Sequence, residues 1–255
     1  MYHEERSYRR WLDTDLVTFR ASVEQSDLQI SAERDLSEEA EQALLAVREE
    51  LEAYLERDPQ FERALAPHTP LPGAPQIAVE MAEAGRRCGV GPMAAVAGAV
   101  AEYVGRALLR EMAGDKLLPN DKLLPNVIVE NGGDIFLQTA RPRVAAIYAG
   151  SSPLTGRVGI RLNRVNEPLG LCTSSGTVGP SLSFGRADAA IILAHSAALA
   201  DAAASALGNR IQTADDIERG LAFIKHIPGL LGAAVVVGES LGAWGEVELV
   251  RIETE

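Results

Sequence analysis

Strand-like stretches are clustered in this chain and do not alternate regularly with helices. Residues 16–32 alternate between apolar and polar side chains on both sides of Gln25-Ser26-Asp27, which predicts a β-hairpin. Helical patterns follow as far as residue 109, and most of the remaining strand-like stretches come after residue 127. Strands grouped after helices favour an α+β fold over a doubly wound parallel sheet.

Three segments before residue 110 have helical patterns. The first helix is predicted to begin at Asp35, with Glu38 completing a capping box. The second has Ile77 and Met81 on one face, and the third, at 89–109, is small and apolar nearly all round, which predicts a helix buried on most sides. The apolar stripe of the first helix consists of Ala40, Leu44, Val47, Leu51 and Tyr54.

The second half of the chain has mostly strand patterns. Two strand-like stretches flank Gly132-Gly133, which predicts a hairpin with a two-glycine turn. The stretch 187–194 is predicted to be a strand buried on both faces or a short buried helix. Helices are expected from a Ser196 cap to Gly208-Asn209 and from a Thr213 cap to about Lys225. Further strands are predicted at 144–149, 158–162, 233–237 and 247–252.

The chain has 255 residues and is predicted to form one domain, 1–255. Within it, a hairpin-and-helix unit at 1–66 is joined to a core at 75–255 by a proline-rich connection. The hexapeptide DKLLPN occurs twice at 115–126, and this duplication is interpreted as a lengthened surface loop, with a binding role as the alternative.

Charge and cysteine content narrow the classes of partner. The net charge is −12 with no basic face, which argues against nucleic acid and against an anionic membrane surface. Cys88 and Cys172 belong to no CxxC pair, so a reducing cytoplasm is expected. The N-terminus has no apolar signal core, and charged residues interrupt the apolar stretches 91–109 and 187–207. A cytoplasmic protein with a small-molecule ligand is therefore expected, with a homo-oligomer through the small-residue helix as an open alternative.

Three segments have residue types suited to binding chemistry. The segment Glu130–Asp134 places two carboxylates beside two glycines, and it is either a plain turn or a ligand turn. The segment 172–185 is rich in hydroxyls and glycines and free of charge, which suits a phosphate. On the helix after Ser196, Asp201 and Ser205 share a face and could hold magnesium or form an exposed polar stripe.

Single residues near these segments allow alternatives. Asp188 lies in an apolar run, and it is predicted either to pair with an arginine such as Arg186 or to belong to a site. His195 is interpreted as a structural histidine, and Cys172 as a small buried thiol.

The order VIVENGGDIFL, CTSSGT, ADAAASALGN resembles the ApbE superfamily, which includes the FAD:protein FMN transferases. The phrases VGPMAAVAGAVAE and SFGRADAAI resemble an uncharacterised branch of it. The resemblance implies an ApbE-like α+β fold with mixed or antiparallel sheets packed with helices. It implies a flavin-nucleotide (FAD or FMN) pocket and a Mg²⁺ site. The pocket residues implied are Gly132, Gly133, Asp134, Thr173, Ser174, Ser175, Gly176 and Thr177, and those of the metal site are Asp201, Ser205 and the region of Ala204.

The resemblance leaves the activity open. The transferases have a His-x-x-Asp-Pro-x-x-Gly stretch where this chain reads SLSFGRADAAI, without histidine or Asp-Pro, and a counterpart of their Ala-Lys-Gly segment is missing. One hypothesis is Mg²⁺-dependent cleavage of FAD or transfer of FMN, with no catalytic residue assigned. The alternative is a non-catalytic binding protein or accessory subunit, which family association would connect with sulfur (sulfide-to-homocysteine) assimilation.

Overall fold

The computed structural model describes Arg9 and residues 15–114, 125–163, 165–177 and 184–252. Most of the duplicated DKLLPN segment and residues 178–183 of the hydroxyl-rich loop lie outside this part of the chain.

The described strands form two antiparallel sheets. The larger has eight strands in the order β1-β2-β3-β4-β7-β8-β9-β10, and the smaller has the order β11-β6-β5. Because β2 pairs with β3, the first hairpin extends the same sheet as the later strands. The strands are β1 Val17–Val23, β2 Ser26–Ala32, β3 Val127–Asn131, β4 Asp134–Thr139, β5 Arg143–Ala146, β6 Val158–Leu162, β7 Val165–Ser174, β8 Ala189–Ala194, β9 Leu230–Val237, β10 Ser240–Gly245 and β11 Glu248–Arg251.

Six α-helices are found in the described residues: α1 Ser37–Arg57, α2 Pro59–Arg63, α3 Gln76–Cys88, α4 Val96–Gly114, α5 Ala197–Gly208 and α6 Ile217–Ile224. Short 3₁₀ turns precede α4 and α6. α4 packs on β3 and β4, while α5 packs on β7 and β8. These two helices therefore lie over the middle of the large sheet.

Two hydrophobic cores cover the two faces of the large sheet. Along β8, Ala190 and Ile192 belong to the core beneath the helices, whereas Ile191 and Leu193 belong to a second core. Successive side chains of a strand point to opposite faces. The second core also includes Ile160 of the small sheet, so the fold has three layers: helices, large sheet and small sheet.

The predicted α+β class is confirmed, and most elements lie where the patterns indicated. The stretch 187–194 contains a strand, β8, buried on both faces. The stripe of α1 is buried as predicted. The strands β7 and β10 were missed: β7 contains Pro168 and Gly170, and two glycines weaken the strand pattern of β10. The first residues of the predicted loop 172–185 therefore belong to β7.

The predicted capping box of α1 is wrong. The helix begins at Ser37, and Leu36 occupies the N-cap position without a side-chain hydrogen bond. Leu36 is fully buried, so core packing moves the N-cap position one residue beyond Asp35. The Asp35 carboxylate accepts a hydrogen bond from the Ser37 N–H instead.

Small residues on α4 allow close packing, as their pattern indicated. A Cβ at Gly105 would lie 2.1 Å from the Phe136 ring of β4. In the described residues, no single helix is long and apolar enough to cross a membrane. Only α3 taken together with the segment Pro92–Ala113 reaches that length, and this pair is bent by 102°.

Candidate functional site

The two-glycine turn between β3 and β4 places an aspartate at the start of β4. Gly132 and Gly133 have φ angles of 66° and 103°, a backbone conformation that other residues rarely adopt. The Glu130 carboxylate accepts a hydrogen bond from the Gly133 N–H at 2.8 Å, which holds the turn from within. Asp134 pairs across the turn with Asn131 and is only 7% exposed.

The end of β7 lies directly beside this turn. The Thr173 N–H donates to the Asp134 carboxylate at 3.2 Å. A Cβ at Gly133 would lie 4.0 Å from the Thr173 carbonyl oxygen. The GGD turn and Thr173 of the predicted phosphate loop therefore lie next to each other.

The helix α5 brings the second aspartate to the same region. Gly170 of β7 allows close approach, since a Cβ there would lie 2.3 Å from the Ala197 Cα. Asp201 lies one turn beyond Ala197, is 9% exposed, and its carboxylate accepts the Gly98 N–H of α4 at 2.9 Å. Ser205, one further turn along, is half-buried on the same face of α5.

Burial disfavours the ionised form of both aspartates. Burial raises the pKa of Asp134 well above its usual range, and the charge of Asp201 raises it further. Burial raises the pKa of Asp201 to about 7, although the N–H groups of Gly98 and Ala97 oppose the shift. A cation bound at this site would stabilise the ionised forms of both carboxyls.

Cys172 lies beside both carboxylates. Its thiol donates to the Ala197 carbonyl oxygen at 3.4 Å. Burial, and then the charges of Asp134 and Asp201, raise the pKa of the thiol well above its usual range. The sulfur is therefore a neutral thiol and not an activated nucleophile, in agreement with its interpretation as a small buried thiol.

The rest of the hydroxyl-rich loop folds back on itself. Ser175 and Thr177 bond to each other, and Thr177 also donates to Asp188 at 3.2 Å. The other Asp188 oxygen accepts the Gly238 N–H at 2.7 Å. The hydrogen bonds of Asp188 thus go to a hydroxyl and an amide, and not to Arg186.

Glycines join this loop to α5. A Cβ at Gly176 would lie 2.1 Å from the Gly185 carbonyl oxygen, and a Cβ at Gly185 would lie 1.8 Å from that of Gly208. A Cβ at Gly208 would lie 3.5 Å from the Ser174 hydroxyl oxygen. The loop base is therefore packed on the C-terminal end of α5.

The structure brings together only part of the predicted set. Gly133, Asp134, Thr173 and Asp201 meet, with Ser205 beside them on α5. Ser175 and Thr177 lie with Asp188, away from these contacts. Ala204 is fully buried in α5 and offers no side-chain donor. His195 is exposed, contrary to its interpretation as a structural histidine, because it lies in the bend after β8.

Glu102 of α4 is a site-supporting residue that the sequence did not indicate. It is 6% exposed, and one of its oxygens accepts bonds from the Ser196 hydroxyl and the Ala197 N–H at 3.0 and 2.7 Å. The other oxygen binds Arg106. Glu102 thereby caps the helix that carries Asp201 and ties it to α4.

Glu102→Ala is expected to lower the free energy of unfolding by about 3 kcal/mol, because it leaves buried donors at the start of α5 without an acceptor. Glu102→Gln keeps an acceptor oxygen, so its free energy of unfolding is expected to fall by about half as much. Urea unfolding of both variants measures the difference, and equal losses would contradict the capping role.

The donor set fits a hard divalent cation. Asp134 and Asp201 supply carboxylate oxygens and Ser205 a hydroxyl, and Mg²⁺ usually takes one or two carboxylates and completes its shell with water or phosphate. Among the described residues, no group of three or more histidine, cysteine, aspartate or glutamate side chains is arranged to hold a metal alone. A cation here would therefore need oxygens from a ligand or from water.

Comparisons with known proteins identify the family. A family model described as "AbpE bacteria" matches residues 9–240. The UPF0280 protein of Methanocella arvoryzae is 41% identical over 210 residues, covering 82% of this chain and 81% of the relative. That of Methanoculleus marisnigri is 42% identical over 220 residues, covering 86% and 84%.

Solved structures share the fold at low identity. A mutant of the flavin transferase ApbE from Vibrio cholerae matches with a TM-score of 0.56 and 11% identity, covering 91% of this chain and 97% of the other. The Pseudomonas stutzeri flavinyl transferase ApbE matches with a TM-score of 0.52 and 15% identity, covering 92% and 96%. The chain has the fold of the ApbE flavin transferases. It belongs to the UPF0280 proteins, an ApbE-like family.

Proposed function

We propose that this protein binds a flavin nucleotide, FAD or FMN, together with Mg²⁺ where the GGD turn, the end of β7 and α5 meet. One observation carries the proposal: Asp134 at the GGD turn and Asp201 on α5 are both buried and held by backbone amides, and the charge of Asp201 raises the pKa of Asp134. The fold shared with flavin transferases adds support from analogy.

Each residue has a separate task in this proposal. Gly132 and Gly133 leave the backbone open to close approach by a ligand. The Thr173 and Gly98 amides hold Asp134 and Asp201, respectively, in fixed orientations. Ser205 adds a hydroxyl oxygen on the same face of α5 as Asp201. When bound, Mg²⁺ would neutralise charge on the nucleotide phosphates.

A second candidate function is cleavage of the FAD pyrophosphate, which releases AMP and delivers FMN to a protein threonine or to water. It is favoured by the pair of carboxylates, since two such groups suit a cation that stabilises phosphoryl transfer. The stretch SLSFGRADAAI, without the histidine motif of the transferases, favours binding without turnover.

A single titration series tests both candidates. Metal-stripped protein is titrated with FAD by calorimetry with and without Mg²⁺, and the nucleotide is then separated by chromatography. We expect Mg²⁺ to raise the affinity for FAD by at least about tenfold, because the cation removes the repulsion between the carboxylates and the phosphates.

Asp201→Ala should abolish the Mg²⁺ effect and leave part of the nucleotide affinity. Arg86→Ala, on an exposed face of α3, is the control and should bind as the unmodified protein does. The appearance of FMN and AMP would establish cleavage. No binding of FAD or FMN in either condition would overturn the proposal.

A further inference from the structure

Arg9 is a buried cation placed behind the GGD turn. Its side chain is 6% exposed, although it comes from a part of the chain far from the turn in sequence. Its Nε donates to the Glu130 carboxylate at 2.5 Å, and its Nη1 donates to the Asp27 carboxylate at 2.8 Å. Its Nη2 donates to the Asp27 carbonyl oxygen at 2.7 Å. A single guanidinium therefore joins the β1–β2 hairpin to the end of β3.

Glu130 connects this cation to the turn. One carboxylate oxygen accepts from Arg9, and the other accepts from the Gly133 N–H at 2.8 Å. Because the carboxylate is rigid and planar, fixing one oxygen also fixes the other. The position of the Gly133 amide is thereby coupled to the position of Arg9.

Asp134 follows Gly133 in the chain, and its carboxylate accepts a hydrogen bond from the Thr173 N–H. The path from Arg9 through Glu130 and Gly133 to Asp134 consists of contacts at hydrogen-bond distance and one peptide link. The side chain of Glu130 is 12% exposed, so water does not readily replace a lost partner.

We propose that Arg9 is a positioning residue: acting through Glu130, it fixes the GGD turn in the conformation that receives the nucleotide. The identity of the ligand in this inference rests on the proposed function. The link from Arg9 through Glu130 to the GGD turn does not. Without Arg9, Glu130 loses one buried cation partner, and its carboxylate is less firmly oriented toward the Gly133 N–H. The turn then samples other conformations, and ligand binding has to select the competent one.

Arg9→Ala is expected to weaken FAD binding about tenfold, the size typical for residues that orient a ligand-binding group from behind. Amide hydrogen exchange at Gly133 should quicken about tenfold, because its acceptor is no longer held. Arg20→Ala is the matched control. Arg20 also lies near Asp27, at 3.6 Å, but it is 63% exposed. Among the ion pairs of the described residues, Glu130 pairs with Arg9 and not with Arg20, so both readouts should stay within about twofold.

A double-mutant cycle separates positioning from general stability. In the Glu130→Ala background, adding Arg9→Ala should change FAD affinity and Gly133 exchange by less than about twofold. A merely structural role would give the same change in both backgrounds, and that result would overturn the inference. Arg9→Lys is the second variant if Arg9→Ala does not fold. Lysine lacks the planar guanidinium that binds two acceptors, so this variant should weaken FAD binding by an intermediate amount.

Different results would contradict the proposed function and the positioning role of Arg9. If the unmodified protein binds no flavin nucleotide, the proposed function fails, while the exchange of the Gly133 amide still decides the role of Arg9. If FAD binds but Arg9→Ala leaves both affinity and exchange unchanged, the positioning role fails alone.

Discussion

Asp201→Asn is expected to stabilise the ligand-free protein at pH 8 and to remove the Mg²⁺ dependence of nucleotide binding. In the folded protein the pKa of Asp201 is raised to about 7, from an ordinary value of 3.8. A carboxyl whose folded pKa is raised favours the folded state most below its unfolded pKa, and this stability is lost as the pH rises through the folded pKa. Ionised Asp201 therefore destabilises the apo protein at pH 8.

The size of this effect follows from the shift. A rise of this size corresponds to about 4 kcal/mol between pH 4 and pH 8, as an order of magnitude. Asparagine keeps an oxygen for the Gly98 N–H but has no charge to bury. Urea unfolding from pH 4 to pH 8 should show a falling stability for the unmodified protein and a flatter profile for Asp201→Asn. Some slope remains, because the pKa of Asp134 is also raised.

Asp188→Asn is the control for this measurement. Asp188 is a half-buried carboxylate that accepts hydrogen bonds from the Thr177 hydroxyl and the Gly238 amide, whereas Asp201 accepts one from the Gly98 amide. Its substitution should leave the pH profile and the Mg²⁺ effect unchanged. A profile for Asp201→Asn as steep as that of the unmodified protein would refute the account of the buried pair.

Gly98→Val is expected to destabilise the fold by about 3 kcal/mol or more and to displace Asp201. A Cβ at Gly98 would lie 2.3 Å from the Ala197 carbonyl oxygen and 2.8 Å from the Asp201 Cβ. Backbone atoms of α5 cannot move aside as the end of a flexible side chain can, so the helices must separate. The cost combines overpacking with loss of the buried bond from the Gly98 N–H.

Gly208→Ala is a matched control for Gly98→Val within the same helix pair. A Cβ at Gly208 has 3.5 Å to its nearest neighbour, an ordinary contact. Alanine there should change stability by less than about 1 kcal/mol. Thermal unfolding of both variants provides the comparison, and equal losses would contradict the close α4–α5 contact.

Gly176→Val is a poor probe of ligand binding, because the valine side chain would meet the Gly185 backbone and disturb the loop itself.

The sequence predicted features that depend on local pattern. The turn at Gly132-Gly133, the Ser196 cap and the stripe of α1 each depend on residues close together in the chain, and all three are present. The start of α1 was wrong because burial of Leu36, a tertiary effect, outweighed the local capping signal.

The chemistry of the site depends on contacts that no local pattern contains. Asp201 reaches the Gly98 amide, and Glu102 reaches the start of α5, across long stretches of sequence. Resemblance to a family indicated Asp134 and Asp201 separately. The pairing of strands β4 and β7, and the packing of α5 on β7, bring the two residues close enough for the charge of Asp201 to raise the pKa of Asp134.

The location of the bound cation is the most direct test of this account. Mn²⁺ can replace Mg²⁺ in the FAD titration, and its paramagnetism broadens the amide NMR signals of nearby residues. The account predicts FAD-dependent broadening that is strongest at Gly98, Gly133 and Thr173 and weaker at Val144 in the small sheet. Broadening centred anywhere else, or none on adding Mn²⁺ and FAD, would contradict the assignment of Asp134 and Asp201 as the cation site.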